Sequence, residues 1–236
     1  MRGKGFTFKQ FHIDHSRCAM KVGTDGTLLG AWADLPQHGR ILDIGTGTGL
    51  IAIMAAQRTT EAHITAIDID SECISQAREN VEATRWSARI EVVHTPLQEF
   101  SAAEPFDVII SNPPYFVDSL LSPDAARSTA RHTDTLSFDD LAQGVLQLLA
   151  QDGHFALILP PTEMERFLSA ARGRLFITRR CEVWTTPTSG ARRIMAQLSL
   201  QPTTPPQSEK LIIEDHGPQG YSEDYKRLTR DFYLKF

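Results

Sequence analysis

Four consecutive residues, Asn112-Pro113-Pro114-Tyr115, have the side chains needed to hold a flat amino group for attack on an electrophilic methyl. An exocyclic amine or amide nitrogen is a poor nucleophile because its lone pair is delocalised. The side-chain oxygen of Asn112 and the backbone carbonyl of Pro113 can each accept one N–H bond. Together they favour a tetrahedral nitrogen with its lone pair aimed outward, and they stabilise the positive charge that develops on it. The prolines fix the direction of that carbonyl and remove a competing donor. Tyr115 offers a face on which a flipped base can stack. Asn112, Pro113 and Tyr115 are therefore the candidate catalytic residues. A general base is not required, because the alkylated nitrogen is acidic enough to lose its proton to water.

The methyl donor has its own signature. Asp43-Ile44-Gly45-Thr46-Gly47-Thr48-Gly49 follows an apolar run and opens a helical pattern. Glycines at alternate positions let backbone approach a ligand with no Cβ between them. The spacing differs from the G-x-G-x-x-G that cradles a pyrophosphate, and S-adenosylmethionine, a sulfonium nucleoside, has no phosphate to hold. Asp43 can accept from the ammonium of the methionine part. Asp68, at the end of the next apolar run, can take the ribose hydroxyls, with Asp70 as its competitor. Strand alternation would aim Ile69 away from the ligand. After the third run comes His94-Thr95-Pro96-Leu97, with no acid before Glu99. Recognition of the adenine then falls to backbone or to packing by Leu97. Gly45, Gly47, Gly49, Leu97 and Asn112 complete this set.

These residues need a scaffold that gathers the ends of several strands. Short Ile- and Val-rich runs at 40–44, 63–68, 89–94, 106–111 and 154–160 alternate with helical patterns, which predicts a parallel sheet covered on both faces. Runs near 175–184 and 194–201, with no helix between them, predict a closing antiparallel pair. The expected architecture is α/β: a Rossmann-like, doubly wound, mostly parallel seven-stranded sheet of the class I methyltransferase type, with a C-terminal antiparallel strand and a short N-terminal extension. We expect a single domain over 1–236, divided into an extension and helix (1–39), a catalytic core (40–201) and a strand–helix tail (202–236). Thr24 is the expected N-cap of the first helix and Ser222 of the last, with Glu223 and Asp224 in its first turn. The PTTPPQS stretch at 202–208 is expected to be a linker before a strand at LIIED.

With 236 residues, 41% hydrophobic and 22% charged, the chain has the composition of a soluble globular protein. It contains no apolar run of membrane-spanning length and no signal-like leader, so a cytoplasmic location is expected. The scattered Cys18, Cys73 and Cys181 encode neither a disulfide framework nor a zinc site, and no metal is expected. The net charge of −5 argues against a polyanionic partner, but basic residues cluster in 1–21 and 172–193. Lys9, Arg17, Arg131, Arg179 and Arg180 are candidates for contact with RNA phosphates, and a solvated surface is the plainer reading of the same charges.

From about Gly5 to Phe236 the chain resembles the bacterial tRNA1(Val) adenine-37 N6-methyltransferases. The resemblance is carried by GFTFKQF (5–11), RCAMKVGTDGTLLGAW (17–32), LDIGTGTGL (42–50), NPPY (112–115) and YSEDYKRLTRDFYL (221–234). It implies S-adenosylmethionine as cofactor, N6-methyladenosine in a tRNA anticodon stem-loop as product, and a segment from Lys21 to Gly26, including Thr24, lying against the cofactor. The expected state is a monomer or weak homodimer. Pro96 stands where that family often has an acid. Methylation of a protein glutamine amide uses the same tetrapeptide but usually follows an N-terminal helical domain, and ribosomal guanine-N2 enzymes usually place Phe at its fourth position. A DNA adenine enzyme would need a target-recognition domain for which there is no room. A catalytically silent RNA-binding module would not require Asn112 and the acids.

Overall fold

A computed structural model describes residues 5–18, 20–114, 136–203 and 205–236. The extension opens with a small antiparallel pair, β1 (Gly5–Thr7) and β2 (His12–Asp14), ahead of helix α1 (Thr24–Trp32). The core alternates strand and helix: β3 (Arg40–Ile44), α2 (Leu50–Arg58), β4 (His63–Asp68), α3 (Ser71–Glu82), β5 (Ile90–His94) and β6 (Phe106–Ser111). It continues through α4 (Phe138–Leu148), β7 (Leu149–Leu159), α5 (Pro161–Ala170), β8 (Phe176–Trp184) and β9 (Ala191–Ser199). The tail adds β10 (Gln207–Ile212) and α6 (Glu223–Thr229).

The sheet runs β10-β8-β9-β7-β6-β3-β4-β5, parallel except for β9, which is antiparallel to both β7 and β8. Seven of these strands make the expected doubly wound pattern. The eighth is β10, which adds parallel to the open edge of β8 and begins at Gln207, inside the stretch read as a linker. Prolines cannot donate to a ladder, and pairing starts only after Pro206. The strand therefore lies earlier than LIIED. The sheet reverses direction beside β3, where β4 lies on one side and β6 on the other. Open α/β sheets bind ligands at such a switch point, beyond the carboxyl ends of the strands.

Two apolar layers sandwich the sheet. One, with Leu28, Leu29, Ile53 and Met54, joins α1 and α2 to Ile41 and Val108. The other, with Leu141, Val145 and Phe167, joins α4 and α5 to Leu42 and Ile109. Successive residues of β3 thus face opposite layers, as strand alternation requires. The tail closes the first layer: Tyr225 stacks on Tyr221 at 5.2 Å, and Tyr233 lies 5.9 Å from Phe8. Helix α6 is capped as expected, Ser222 Oγ accepting from the Tyr225 N–H at 3.1 Å. Helix α1 is not: Gly23 occupies the N-cap without a side-chain bond, and Thr24 is the first helical residue.

Candidate active site

Strand register brings the two signature loops together. Ile44 pairs with Ser111 across β3 and β6, and the Ser111 hydroxyl donates to the Ile44 carbonyl at 2.9 Å, so Gly45 and Asn112 leave adjacent strands at the same level. The glycine turn then folds back on β4, with the Gly45 and Thr46 N–H groups donating to the Ile67 carbonyl at 2.9 and 3.0 Å. Gly47 has φ +55°, a left-handed conformation that costs other L-residues about 1–2 kcal/mol, and a Cβ there would stand in open space beside the cavity. Gly49, at φ +81°, is the N-cap of α2. A Cβ on it would lie 3.4 Å from Ala77, so this glycine serves helix packing.

A cavity of about 620 Å³ opens at this point, lined by Gly45, Gly47, Asp68, Leu97, Asn112 and Pro114 among others. Five of the sequence candidates therefore share one wall. Asp68 accepts from the Gly47 N–H at 2.8 Å through Oδ2 and from the Asp70 N–H at 2.9 Å through Oδ1. A carboxylate has about four lone-pair sites, so two acceptor positions remain for hydroxyls. Burial raises its pKa above the usual carboxylate range. Asp70 also lines the cavity, but its Oδ1 caps α3 by accepting from the Glu72 and Cys73 N–H groups.

Asp43 lies fully buried at the end of β3. Its Oδ2 accepts from the Thr46 hydroxyl at 2.6 Å, while Oδ1 has no hydrogen-bond partner of good geometry. Burial pushes its carboxyl up to about 7, opposed by the Thr46 hydroxyl and the Ala52 N–H and reinforced by the nearby Asp68 charge. Asp43 is not itself among the lining residues, but its buried carboxyl lies directly behind the Gly45–Gly47 turn that is, and a cavity with Asp68 in its wall fits a cofactor with a cationic amine and a nucleoside. S-Adenosylmethionine is such a molecule.

Several expectations are revised. Ile69 is 46% exposed and lines the cavity together with Asp68 and Asp70. The strand ends at Asp68, so alternation no longer governs the next residue. Lys21 and Thr24 are exposed and do not line the cavity; Met20, 53% exposed, lines it in their place. Gly26 does reach the site, since a Cβ there would lie 3.9 Å from the Asn112 amide nitrogen. Thr95, Pro96, Gln98 and Glu99 also line the cavity, so the loop lacking an early acid is still part of its wall.

The basic candidates separate as well. Arg179 is held by Glu209 at 2.7 Å and Asp34 at 3.0 Å and lies over the Trp32 ring at 4.2 Å, which makes it a structural clamp with little left for RNA. It faces a second cavity of about 520 Å³ that shares no lining residue with the first. Arg180, on the opposite strand face, pairs with Glu182 at 3.2 Å. Arg17 pairs with Glu79, and the Lys9 ammonium donates to the carbonyls of Arg230 (2.5 Å) and Phe236. Tyr115 and Arg131 lie outside the described residues. Among the described residues, no cluster of His, Cys, Asp and Glu is arranged to hold a metal ion, and no helix is long and apolar enough to cross a membrane.

This fold and cavity define a class I, S-adenosylmethionine-dependent methyltransferase. Residues 18–154 match the model of the methyltransferase small domain family. A solved structure described as a predicted O-methyltransferase from Agrobacterium tumefaciens superposes with a TM-score of 0.69 at 21% identity, covering 88% of this chain and 96% of that one; at that identity the likeness speaks for the fold. More specific are two relatives, each named tRNA1(Val) (adenine(37)-N6)-methyltransferase. The one from Parabacteroides distasonis is 47% identical over 98% of both chains. The one from Pseudoalteromonas translucida is 45% identical over 98% of this chain and 99% of its own. The chain belongs to the tRNA1(Val) (adenine(37)-N6)-methyltransferase family.

Proposed function

We propose that this enzyme methylates N6 of adenosine 37 in the anticodon loop of tRNA1(Val), with Asn112 and the Pro113 carbonyl gripping the amino group. The observation that carries the reading is the shared cavity wall of Gly45, Gly47, Asp68 and Asn112. It supports the reading because Asn112, one of the two proposed acceptors, borders the same cavity as the residues proposed to hold the nucleoside cofactor. When bound, the cofactor supplies an electrophilic methyl: its S–CH3 bond breaks as the N6–CH3 bond forms, and N6 releases one proton to solvent. Asn112 Oδ1 accepts one N6–H and the Pro113 carbonyl the other, so both acceptors strengthen as the nitrogen becomes cationic. Asp43 and Asp68 hold the two ends of the donor, and Tyr115 stacks on the base.

Among the described basic residues, Lys21 is exposed and follows Met20 at the cavity wall, which makes it the cation best placed to meet a tRNA phosphate. We place the enzyme in the cytoplasm, where its substrate resides, acting as one unit that is a monomer or weak homodimer. The test pairs labelled cofactor with tRNA1(Val) and with a transcript carrying guanosine at position 37. Label should enter the first as N6-methyladenosine and be absent from the second. In the same assay Asn112→Ala should lower kcat by about 10²–10³, in line with loss of one transition-state acceptor, with cofactor affinity nearly unchanged by calorimetry. A variant that keeps near-normal turnover would remove Asn112 from the reaction.

A further inference from the structure

The segment that leads from β2 toward α1 runs along α3 in a regular step. The Asp14 N–H donates to Asn80 Oδ1 at 2.9 Å, and the Asn80 amide donates back to the Asp14 carbonyl at 2.8 Å. Next, Ser16 Oγ donates to Gln76 Oε1 at 3.3 Å, and Arg17 pairs with Glu79. From Asp14 to Ser16, two residues that span at most about 7 Å, the contacts move four residues down α3, one turn of about 5.4 Å. Every second residue of the segment therefore meets about the next turn of α3, descending from Asn80 through Gln76 toward Cys73. The residue that this stepping delivers opposite Cys73 is Cys18.

Both cysteines are buried. Their thiols interact: contact with Cys73 lowers the Cys18 thiol, and contact with Cys18, with burial, raises that of Cys73. The thiolate is the reactive form of a cysteine. Cys73 lines the cofactor cavity, and so does Met20, two residues after Cys18. The third thiol has a different setting. Cys181 lies under the Arg179 clamp, and burial pushes it up to about 12, which keeps it protonated and inert.

We propose that Cys18 and Cys73 form an oxidisable dithiol in the wall of the cofactor cavity, and that a hydroperoxide converts it to a disulfide that lowers cofactor binding. In the first step the Cys18 thiolate attacks the peroxide O–O bond, giving a sulfenic acid and releasing the alcohol, or water from hydrogen peroxide. Cys73 then displaces water from that sulfur, forming the S–S bond. Two thiols lose two electrons and two protons, and the peroxide is reduced to ROH and water. A disulfide fixes its Cβ atoms about 3.8 Å apart, so it ties the segment bearing Met20 to the first turn of α3, two parts of the cavity wall. Because coupling between sites is reciprocal, bound cofactor protects the pair from oxidation.

The effect on binding rests on the cofactor reading of this cavity; the disulfide itself does not. The full chain is treated with hydrogen peroxide, with and without saturating S-adenosylmethionine. Non-reducing peptide mapping and calorimetry of cofactor binding follow. Expected are a Cys18–Cys73 linked peptide, a free Cys181, cofactor affinity reduced about tenfold and restored by dithiothreitol, and slower oxidation when cofactor is present. Cys18→Ser should keep its cofactor affinity after peroxide, whereas Cys181→Ser should lose it as the parent does. A cross-link through Cys181, two thiols that stay free, or a Cys18–Cys73 bridge with unchanged affinity each overturns the proposal. If Cys18→Ser does not fold, the parent's peptide map still decides the pairing. Failure of the reduced protein to bind cofactor would instead overturn the cofactor reading, leaving the map to decide the disulfide on its own.

Discussion

At Asp43 the chain buries a carboxyl with one oxygen bonded to Thr46 and the other without a partner of good geometry, its pKa pushed up to about 7 from 3.8 for the ordinary group. A folded-state pKa raised in this way contributes stability that is fully present below about pH 4 and lost as pH rises through 7. At ~1.4 kcal/mol per unit the loss is about 4 kcal/mol. A cofactor ammonium facing Oδ1 would favour the ionised form, so binding should release a proton and weaken as pH falls below 7. Calorimetry in buffers of different ionisation enthalpy reads that proton directly. Asp43→Asn should reduce both the proton release and the loss of stability between pH 4 and 7, and a parent protein that binds with no proton change would separate Asp43 from the ammonium. Asp68→Ala acts on the other end of the donor and should weaken cofactor binding by about 1–3 kcal/mol. Part of that loss comes from the Gly47 N–H, which gives its hydrogen to Asp68.

Among elements, the glycine turn divides its labour in a way that spacing alone does not reveal. Gly47 borders the cavity, while Gly49 lets α2 start against Ala77 of α3. Gly49→Ala should therefore cost stability, about 1–2 kcal/mol from the left-handed backbone, with cofactor affinity changed little in the protein that remains folded. Gly47→Ala should carry a similar backbone cost and a clear loss of cofactor affinity. Denaturant melts with and without cofactor separate the two. The order of strands and the loops that face each other were legible from the sequence, because apolar runs of strand length and the residues at their ends are local signals. What stayed hidden depends on tertiary contact or on where a strand stops. Ile69 became a wall residue because β4 ends at Asp68, Met20 arrived through the path of the extension, and β10 started early because the edge of β8 was open. The pairing of Arg179 with Asp34 and Glu209 spans 145 and 30 residues, and no pattern within the basic 172–193 cluster distinguishes that side chain from Arg180.

For the whole molecule, electrostatics and packing separate two populations of basic residues. Arg179 ties α1, β8 and β10 together, so Arg179→Ala should cost on the order of 2–3 kcal/mol, less than a fully buried pair because its side chain keeps some exposure. Its effect should appear in thermal denaturation and leave the salt dependence of tRNA binding unaltered. Lys21→Glu should do the reverse, leaving stability within about 0.5 kcal/mol and reducing the salt slope of tRNA affinity by about one. An unchanged slope would move the tRNA to another face.

The clasp between the two ends of the chain sets an order of events during synthesis. The Lys9 N–H donates to the Phe232 carbonyl, and its ammonium donates to the Phe236 carbonyl 227 positions away. A nascent chain emerging from the ribosome, amino end first, has its opening aromatic residues outside the tunnel long before their partners exist. The central sheet can pair while translation continues, and Phe11 can find Trp86, but Phe8 must wait for Tyr233. Until then, holdase chaperones would find their target at the amino end.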